Sequence, residues 1–258
     1  MRSTVVLVHG VPATAELWTP LRERLEANRK VVALDLPGFA TPPPDGWRGT
    51  KEDYAGWLAG EVEKVVATDG PVHLVGHDWG CLLTCRVASL HPELLRSFAF
   101  GNGPIDEKWP HHALWATWNV LGEGERWMDE LDIEGIDSML TGMGMPAEMA
   151  ARNAWHHDWN RRITLTLYRS AINVGREWGP DLADIVVPSM AIWGDLDLIV
   201  PIEFGRRMAT RMGAEVVALP AHHFWPCERP AEAAAALQRL WDRTENSPET
   251  ILTQGASR

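Results

Sequence analysis

The run Val72-His73-Leu74-Val75-Gly76-His77-Asp78-Trp79-Gly80 places an acidic residue in a sharp turn between an apolar strand and a helix. A strand-to-helix turn of this kind lifts its central side chain clear of the sheet. The flanking Gly76 and Gly80 are needed because strand and helix approach closely there. The central position usually holds a serine or cysteine; here it holds Asp78. A carboxylate is already ionised at pH 7, so it can act as a nucleophile without a base to activate it. The helix N-terminus beneath also favours negative charge. An ordinary turn with a capping Asp is the plainer alternative. The location between strand and helix, downstream of His9-Gly10, argues against it.

Such a nucleophile requires an acid and a histidine, following it in that order along the chain. Trp193-Gly194-Asp195-Leu196-Asp197 supplies two acids. Asp197 is preferred because it lies beyond the turn and just before Ile199-Val200-Pro201, which leaves Asp195 to shape the turn. Ala221-His222-His223-Phe224 supplies two histidines, of which His223 is the choice for the general base and His222 a loop residue.

These residues need a scaffold. A continuous β-branched run predicts a buried strand over 4–8, and further strands are expected over 30–34, 71–75, 96–100, 187–193 and 214–219. Helices are expected over 17–27, with Pro20 near the start, and over 50–67. The second has Thr50 as its N-cap and Asp53 three residues on. Further helices are expected from the turn to about residue 90, over 202–212 and over 230–241. Alternating strands and helices indicate an α/β fold, a mostly parallel sheet flanked by helices. The alternation stops after Gly103. Residues 104–180 read as a helical, Trp-rich insertion, so the core is 1–103 with 181–242, and 243–258 is expected to be a flexible tail.

A chain of 258 residues suffices for one large domain with such an insertion. The formal net charge of -11 argues against nucleic acid and anionic membrane surfaces as partners. The apolar run in MRSTVVLVHG is too short for a signal segment or a membrane span, so a cytoplasmic location is expected. The 3 cysteines, Cys81, Cys85 and Cys227, are too few and wrongly spaced for zinc. Buried, inert thiols in a reducing compartment are expected. Adjacent histidines, as in His111-His112 and His156-His157, diverge by about 100° on a helix, so neither pair converges on a metal. No metal and no cofactor is expected, and nothing in the sequence fixes the oligomeric state. The 14 tryptophans against 2 tyrosines, many of them between Trp109 and Trp178, suggest either a Trp-rich core or a pocket for an apolar ligand.

HGVP, DLPGF, GHDWG, WGDLDLIVP and HHFWPCERP resemble the motifs of the α/β-hydrolase superfamily across nearly the whole core. GHDWG resembles the branch with an aspartate nucleophile, the epoxide hydrolases and haloalkane dehalogenases. The resemblance implies that residues 104–180 form that family's helical cap. Against that branch the sequence is short, beginning directly at the strand leading to HGVP, so the initial strands of the fold are expected either to be missing or to lie outside it. In the implied chemistry Asp78 displaces a leaving group from saturated carbon and becomes an alkyl ester. His223 drives water against that ester, Asp197 orients the imidazole, and the backbone N–H groups of Val11 and Trp79 form the oxyanion hole.

The leaving group decides between branches. An opening epoxide needs a proton donor. Epoxide hydrolases use two cap tyrosines, and Tyr168 stands where one of them is expected, although it also reads as a half-buried helix residue. Tyr54 belongs to a core helix and reads as structural. His156 is a candidate replacement for the second tyrosine. A departing halide needs only N–H donors: Trp79 with a cap tryptophan, Trp115 or one of Trp109, Trp118, Trp155 and Trp159. Fluoroacetate dehalogenases carry Arg after the nucleophile, and Trp79 in that place disfavours a carboxylate substrate. The expectation is hydrolysis of a small apolar organic epoxide with water to a vicinal diol. Carbon–halogen hydrolysis is the alternative. A catalytically silent ligand-binding protein on the same scaffold is the alternative of another class.

Overall fold

The computed structural model describes residues 2–110 and 113–246. Six strands form one sheet: β1 (Val5–Val8), β2 (Val31–Leu34), β3 (Val72–His77), β4 (Leu95–Gly101), β5 (Ser189–Gly194) and β6 (Glu215–Leu219). The spatial order is β2-β1-β3-β4-β5-β6, and every neighbouring pair is parallel. A parallel sheet is covered on both faces, which is why β1 and β3 read as unbroken apolar runs and are buried throughout. The helices Thr19–Leu25 and Pro230–Asn246 pack together, as do Lys51–Asp69 and Trp79–Leu90, so helices flank the sheet.

The chain leaves β1 toward β2 on one side, while β3 and all later strands lie on the other. The carboxyl ends of β1 and β3 therefore flank a switch point, where open α/β sheets form their ligand crevices. Val11 follows β1 and Asp78 follows β3.

Most element boundaries agree with the sequence expectations to within a residue or two. The helix Lys51–Asp69 begins with the expected capping box: the Thr50 N–H donates to Asp53 at 3.0 Å and the Asp53 N–H to the Thr50 hydroxyl at 3.2 Å. Two expectations are corrected. The helix expected over 17–27 is two pieces, a 3-10 turn Ala15–Trp18 and an α-helix Thr19–Leu25 with Pro20 in its first turn. Pro20 lacks an N–H and so fits a helix start and not an interior. The tail expected to begin at residue 243 is still helical to Asn246. Glu245 anchors it there, accepting from Arg29 at 2.6 and 3.0 Å and lying 3.1 Å from His73 Nε2. The remainder of that predicted tail, 247–258, lies outside the described residues.

Between β4 and β5 the described residues carry helices and no strand. The longest is Asp158–Ser170, which presents Ile163, Thr164, Leu167 and Tyr168 to the interior. His111 and His112 lie outside the described residues. Among the described residues no helix is long and apolar enough to cross a membrane.

Candidate active site

Asp78 adopts φ 54° and ψ -119°, a conformation that L-residues rarely take. Such positions cost about 1–3 kcal/mol and persist only where the surroundings enforce them. Here the enforcement is close packing: a side chain on Gly76 would strike the Gly80 backbone, and one on Gly80 would strike the carbonyl of Val8. The result is a carboxylate standing at the head of the helix Trp79–Leu90.

The two oxygens of that carboxylate have different surroundings. Oδ1 accepts the Val11 backbone N–H at 2.7 Å, and the Trp79 N–H adds a second bond to the carboxylate. Gly10 leaves the space for this, since a side chain there would collide with Asp78. Oδ2 lies 3.8 Å from His223 Nε2. The other ring nitrogen of His223, Nδ1, is 2.8 Å from Asp197 Oδ2. Asp197 is held on every side. Its Oδ2 also accepts from Asn102 Nδ2 at 2.6 Å, and its Oδ1 accepts the backbone N–H groups of Ile199 at 2.7 Å and Val200 at 3.2 Å. Asp195 is exposed, its N–H bonded to the Leu219 carbonyl, and His222 is exposed and paired with Glu228 at 3.0 Å. The choices of Asp197 over Asp195 and His223 over His222 are thus the ones whose side chains meet.

The electrostatics follow from burial and these partners. Burial raises the pKa of Asp78 to about 6, although the His223 charge and the Trp79 and Val11 N–H groups pull it down. Burial raises the carboxyl of Asp197 too, but His223, Asn102 and the Ile199 N–H outweigh it and hold the group below its ordinary value. Burial alone would lower His223, yet the charges of Asp197 and Asp78 leave its pKa raised. A buried imidazole between two carboxylates is suited to accepting a proton from water.

A cavity of about 270 Å³ opens above Asp78. Trp79, Trp109, Trp115, Trp118, Trp155 and Tyr168 form its aromatic walls, and Leu82, Leu140, Met143 and Phe224 add aliphatic and aromatic surface. Among the described residues no lysine or arginine lines it. The partly exposed Leu114, Met139, Met143 and Ile199 mark the side nearest solvent. The Tyr168 ring meets Trp79, Trp115 and Trp118 edge-on, with centroids 5.3, 5.0 and 4.8 Å away. Burial, then the charge of Asp78, pushes the Tyr168 phenol well above its ordinary pKa, so the hydroxyl keeps its proton.

Some expected site residues stand elsewhere. His156 does not line the cavity; it pairs with Asp137 at 3.0 Å, so its role as a second proton donor is withdrawn. Trp155 does line the cavity, but its indole N–H is committed to Thr164 at 3.1 Å; Trp159 is not among the lining residues and stacks on His157 with centroids 4.3 Å apart. Tyr54 is buried and donates to the Pro37 carbonyl at 2.7 Å, the structural role expected of it.

Two positioning residues escaped the sequence argument. Asn102, at φ 52°, follows β4 and bonds both Asp197 and the Gly194 N–H, the latter at 3.2 Å. Its flanking Gly101 and Gly103 were the available signal, because Asn between glycines at a strand end favours a left-handed turn. His9 bridges the Gly10 carbonyl at 2.8 Å and the Leu36 N–H at 3.0 Å, which steadies the peptide that offers Val11 N–H. Burial lowers its pKa to about 4, so it stays neutral.

The model of the alpha/beta hydrolase family matches residues 5–237. The chain is 26% identical over 254 residues to the (E)-2-((N-methylformamido)methylene)succinate hydrolase of Acinetobacter baylyi, covering 93% of this chain and 90% of that one. It is 33% identical over 209 residues to a pimeloyl-[acyl-carrier protein] methyl ester esterase of Aeromonas hydrophila, covering 76% and 78%. Among solved structures, a candidate epoxide hydrolase from Pseudomonas aeruginosa superposes with TM-score 0.79 at 21% identity, over 95% of this chain and 90% of that one. A haloalkane dehalogenase from Bradyrhizobium elkani does so with TM-score 0.79 at 20% identity, over 96% and 92%. At these identities the solved structures establish the shared fold.

Proposed function

The chain belongs to the alpha/beta hydrolase family, and from that premise we propose that it hydrolyses small apolar epoxides to vicinal diols through an ester on Asp78. The observation that carries this reading is the division of labour within one carboxylate. Oδ1 is held by Val11 N–H at 2.7 Å, and Oδ2 stands 3.8 Å from His223 Nε2. A residue that only capped the helix would need neither.

Oδ2 attacks one oxirane carbon, the C–O bond breaks, and the new alkoxide takes the Tyr168 proton. His223 Nε2 then removes a proton from water, which adds to the carboxyl carbon of Asp78. Negative charge builds on Oδ1, which already accepts the Val11 N–H, with the Trp79 N–H as a second donor to the carboxylate. Removing one such donor typically costs about 3 kcal/mol of transition-state stabilisation. Collapse of the tetrahedral intermediate breaks the bond from the carboxyl carbon to Oδ2; the departing alkoxide takes the remaining proton of the added hydroxyl, which frees the diol and restores the carboxylate. The imidazolium proton returns through solvent to the Tyr168 phenolate. Asp197 keeps the His223 ring oriented and stabilises its cation. The helical stretch between β4 and β5 acts as the cap.

The cavity favours a neutral substrate. The two curated relatives carry names for a succinate derivative and a carrier-protein ester. Among the described residues the cavity lining has no lysine or arginine to pair with a succinate carboxylate. Carbon–halogen hydrolysis is the second reading. It is favoured by the indole rings of Trp79 and Trp115, which meet Tyr168 in the wall of the cavity that holds the nucleophile.

An aryl epoxide and a bromoalkane, offered separately, distinguish these readings by diol and bromide release. In a His223→Gln variant the first step proceeds and the second stalls. The peptide carrying Asp78 should then gain the mass of the substrate. An unmodified peptide, with substrate bound, refutes covalent catalysis. Tight binding of both compounds without product would assign a binding protein.

A further inference from the structure

His77 takes no part in the chemistry above, yet it is fully buried at the end of β3, immediately before Asp78. Its Nε2 lies 2.8 Å from the backbone carbonyl oxygen of His223, 146 residues away along the chain. A carbonyl oxygen only accepts, so the ring proton is on Nε2 and His77 donates. Burial, reinforced by the charge of His223, pushes the His77 pKa down to about 3, which keeps the ring neutral. Its Nδ1 has no hydrogen-bond partner among the described residues. The ring meets the His223 imidazole edge-on, with centroids 4.9 Å apart, and tilts against Phe224 at 5.7 Å.

We infer that His77 is a positioning residue for His223: its Nε2–H bond ties the loop that carries the base to the strand that carries the nucleophile. This sets the separation between the His223 imidazole and the Asp78 carboxylate. Asp197 controls how the His223 ring is turned, because it grips Nδ1. It does not control how far the loop stands from β3. The loop's other backbone bonds run elsewhere. The His222 N–H donates to Glu228, the Phe224 N–H to the Met143 carbonyl, and the Ala221 carbonyl accepts from Leu196. The His77 bond runs straight to the residue beside the nucleophile. A phenyl ring would fill the same space with no buried polar atom, so the N–H is what the imidazole contributes. A misplacement of about 1 Å at a reacting group costs roughly a hundredfold in rate.

This inference rests on the Asp78 ester reading for its kinetic arm and is independent of it for its spectroscopic arm. His77→Leu removes the donor; His77→Gln keeps an amide N–H at similar reach. Ester formation and ester hydrolysis are followed separately by mass of the peptide bearing Asp78. The His223 ring is titrated by NMR in all three proteins. His77→Leu should slow ester hydrolysis at least tenfold more than ester formation. It should also move the His223 pKa down toward its ordinary value. His77→Gln should restore both. Equal slowing of the two half-reactions in His77→Leu, or a Gln variant no better than Leu, overturns the inference. If the wild-type protein forms no ester, the Asp78 reading fails while the His223 titration still decides the role of His77. Should neither variant fold, the wild-type nitrogen spectrum decides it: a proton on Nε2 of His77 is required, and one on Nδ1 refutes the tie.

Discussion

Asp78, Val11, Asn102 and Asp197 stand just past the carboxyl ends of parallel strands, whereas Trp109, Trp115, Trp118 and Tyr168 come from the helical stretch between β4 and β5. The first group is fixed by hydrogen bonds of 2.6–3.2 Å, several of them to backbone N–H groups. The second is fixed mainly by ring packing, with centroids about 5 Å apart. Hydrogen bonds to a sheet end hold atoms within narrow limits of distance and direction. Aromatic contacts tolerate sliding and tilting. In the proposed mechanism the difference divides the work: the floor of the cavity determines the type of bond made and broken, and the roof determines what fits and which leaving group is helped.

Changes to the floor should therefore stop chemistry for every substrate, and changes to the roof should alter the balance between substrates. Asp197→Asn should have the largest effect of those that preserve shape. The amide can still meet the His223 ring, but it no longer stabilises the imidazolium. Ester hydrolysis should slow by about 10³-fold or more, with ester accumulating in a rapid-quench experiment. Tyr168→Phe should lower epoxide turnover by about 10²-fold, the lower range for loss of a general acid. Bromide release, which needs no proton, should change little. Equal losses on both substrates would remove the distinction between floor and roof.

The acid limb of the pH profile belongs to the floor. In the proposed mechanism only ionised Asp78 attacks, and burial places its pKa at about 6. The kcat/KM for an epoxide should thus fall tenfold per pH unit below about 6. The stability consequence has the opposite sense. A carboxyl whose folded pKa is raised stabilises the fold at low pH, and that contribution is lost as pH rises through about 6. Asp78→Asn should accordingly raise Tm at pH 8 and change it less at pH 4. The smallest effect on activity is expected from Glu245→Gln, remote from both walls. Burial would raise the Glu245 carboxyl, but Arg29, His73 and the Ser3 N–H hold it at about 2. Its contribution is present above its ordinary pKa and lost as pH falls through about 2. The variant should lose about 3 kcal/mol at pH 7, since it leaves Arg29 buried without its partner, while kcat stays unchanged.

The same division explains what the sequence disclosed. Gly76-His77-Asp78-Trp79-Gly80 announces its turn because local sterics demand both glycines, and β1 and β3 announce themselves because both faces are buried. The order of Asp78, Asp197 and His223 follows from the order of strands. Asn102 and His77 were silent because their partners lie 95 and 146 residues away, and no local pattern encodes such a pairing. His156 looked available as a donor because a histidine's partner cannot be seen from its neighbours in sequence; Asp137 takes it. The helix end at Asn246 was hidden for the same reason, since Arg29 and His73 secure it from the far end of the chain.

A single turnover in heavy-oxygen water, with enzyme in excess over an aryl epoxide, bears on the ester at Asp78 without any substitution. Water should attack the carboxyl carbon of Asp78, so the first label should enter the peptide carrying Asp78 and the first diol should be unlabelled. Label appearing in the first diol, with that peptide unlabelled, would mean that water attacks the substrate itself and would contradict the account.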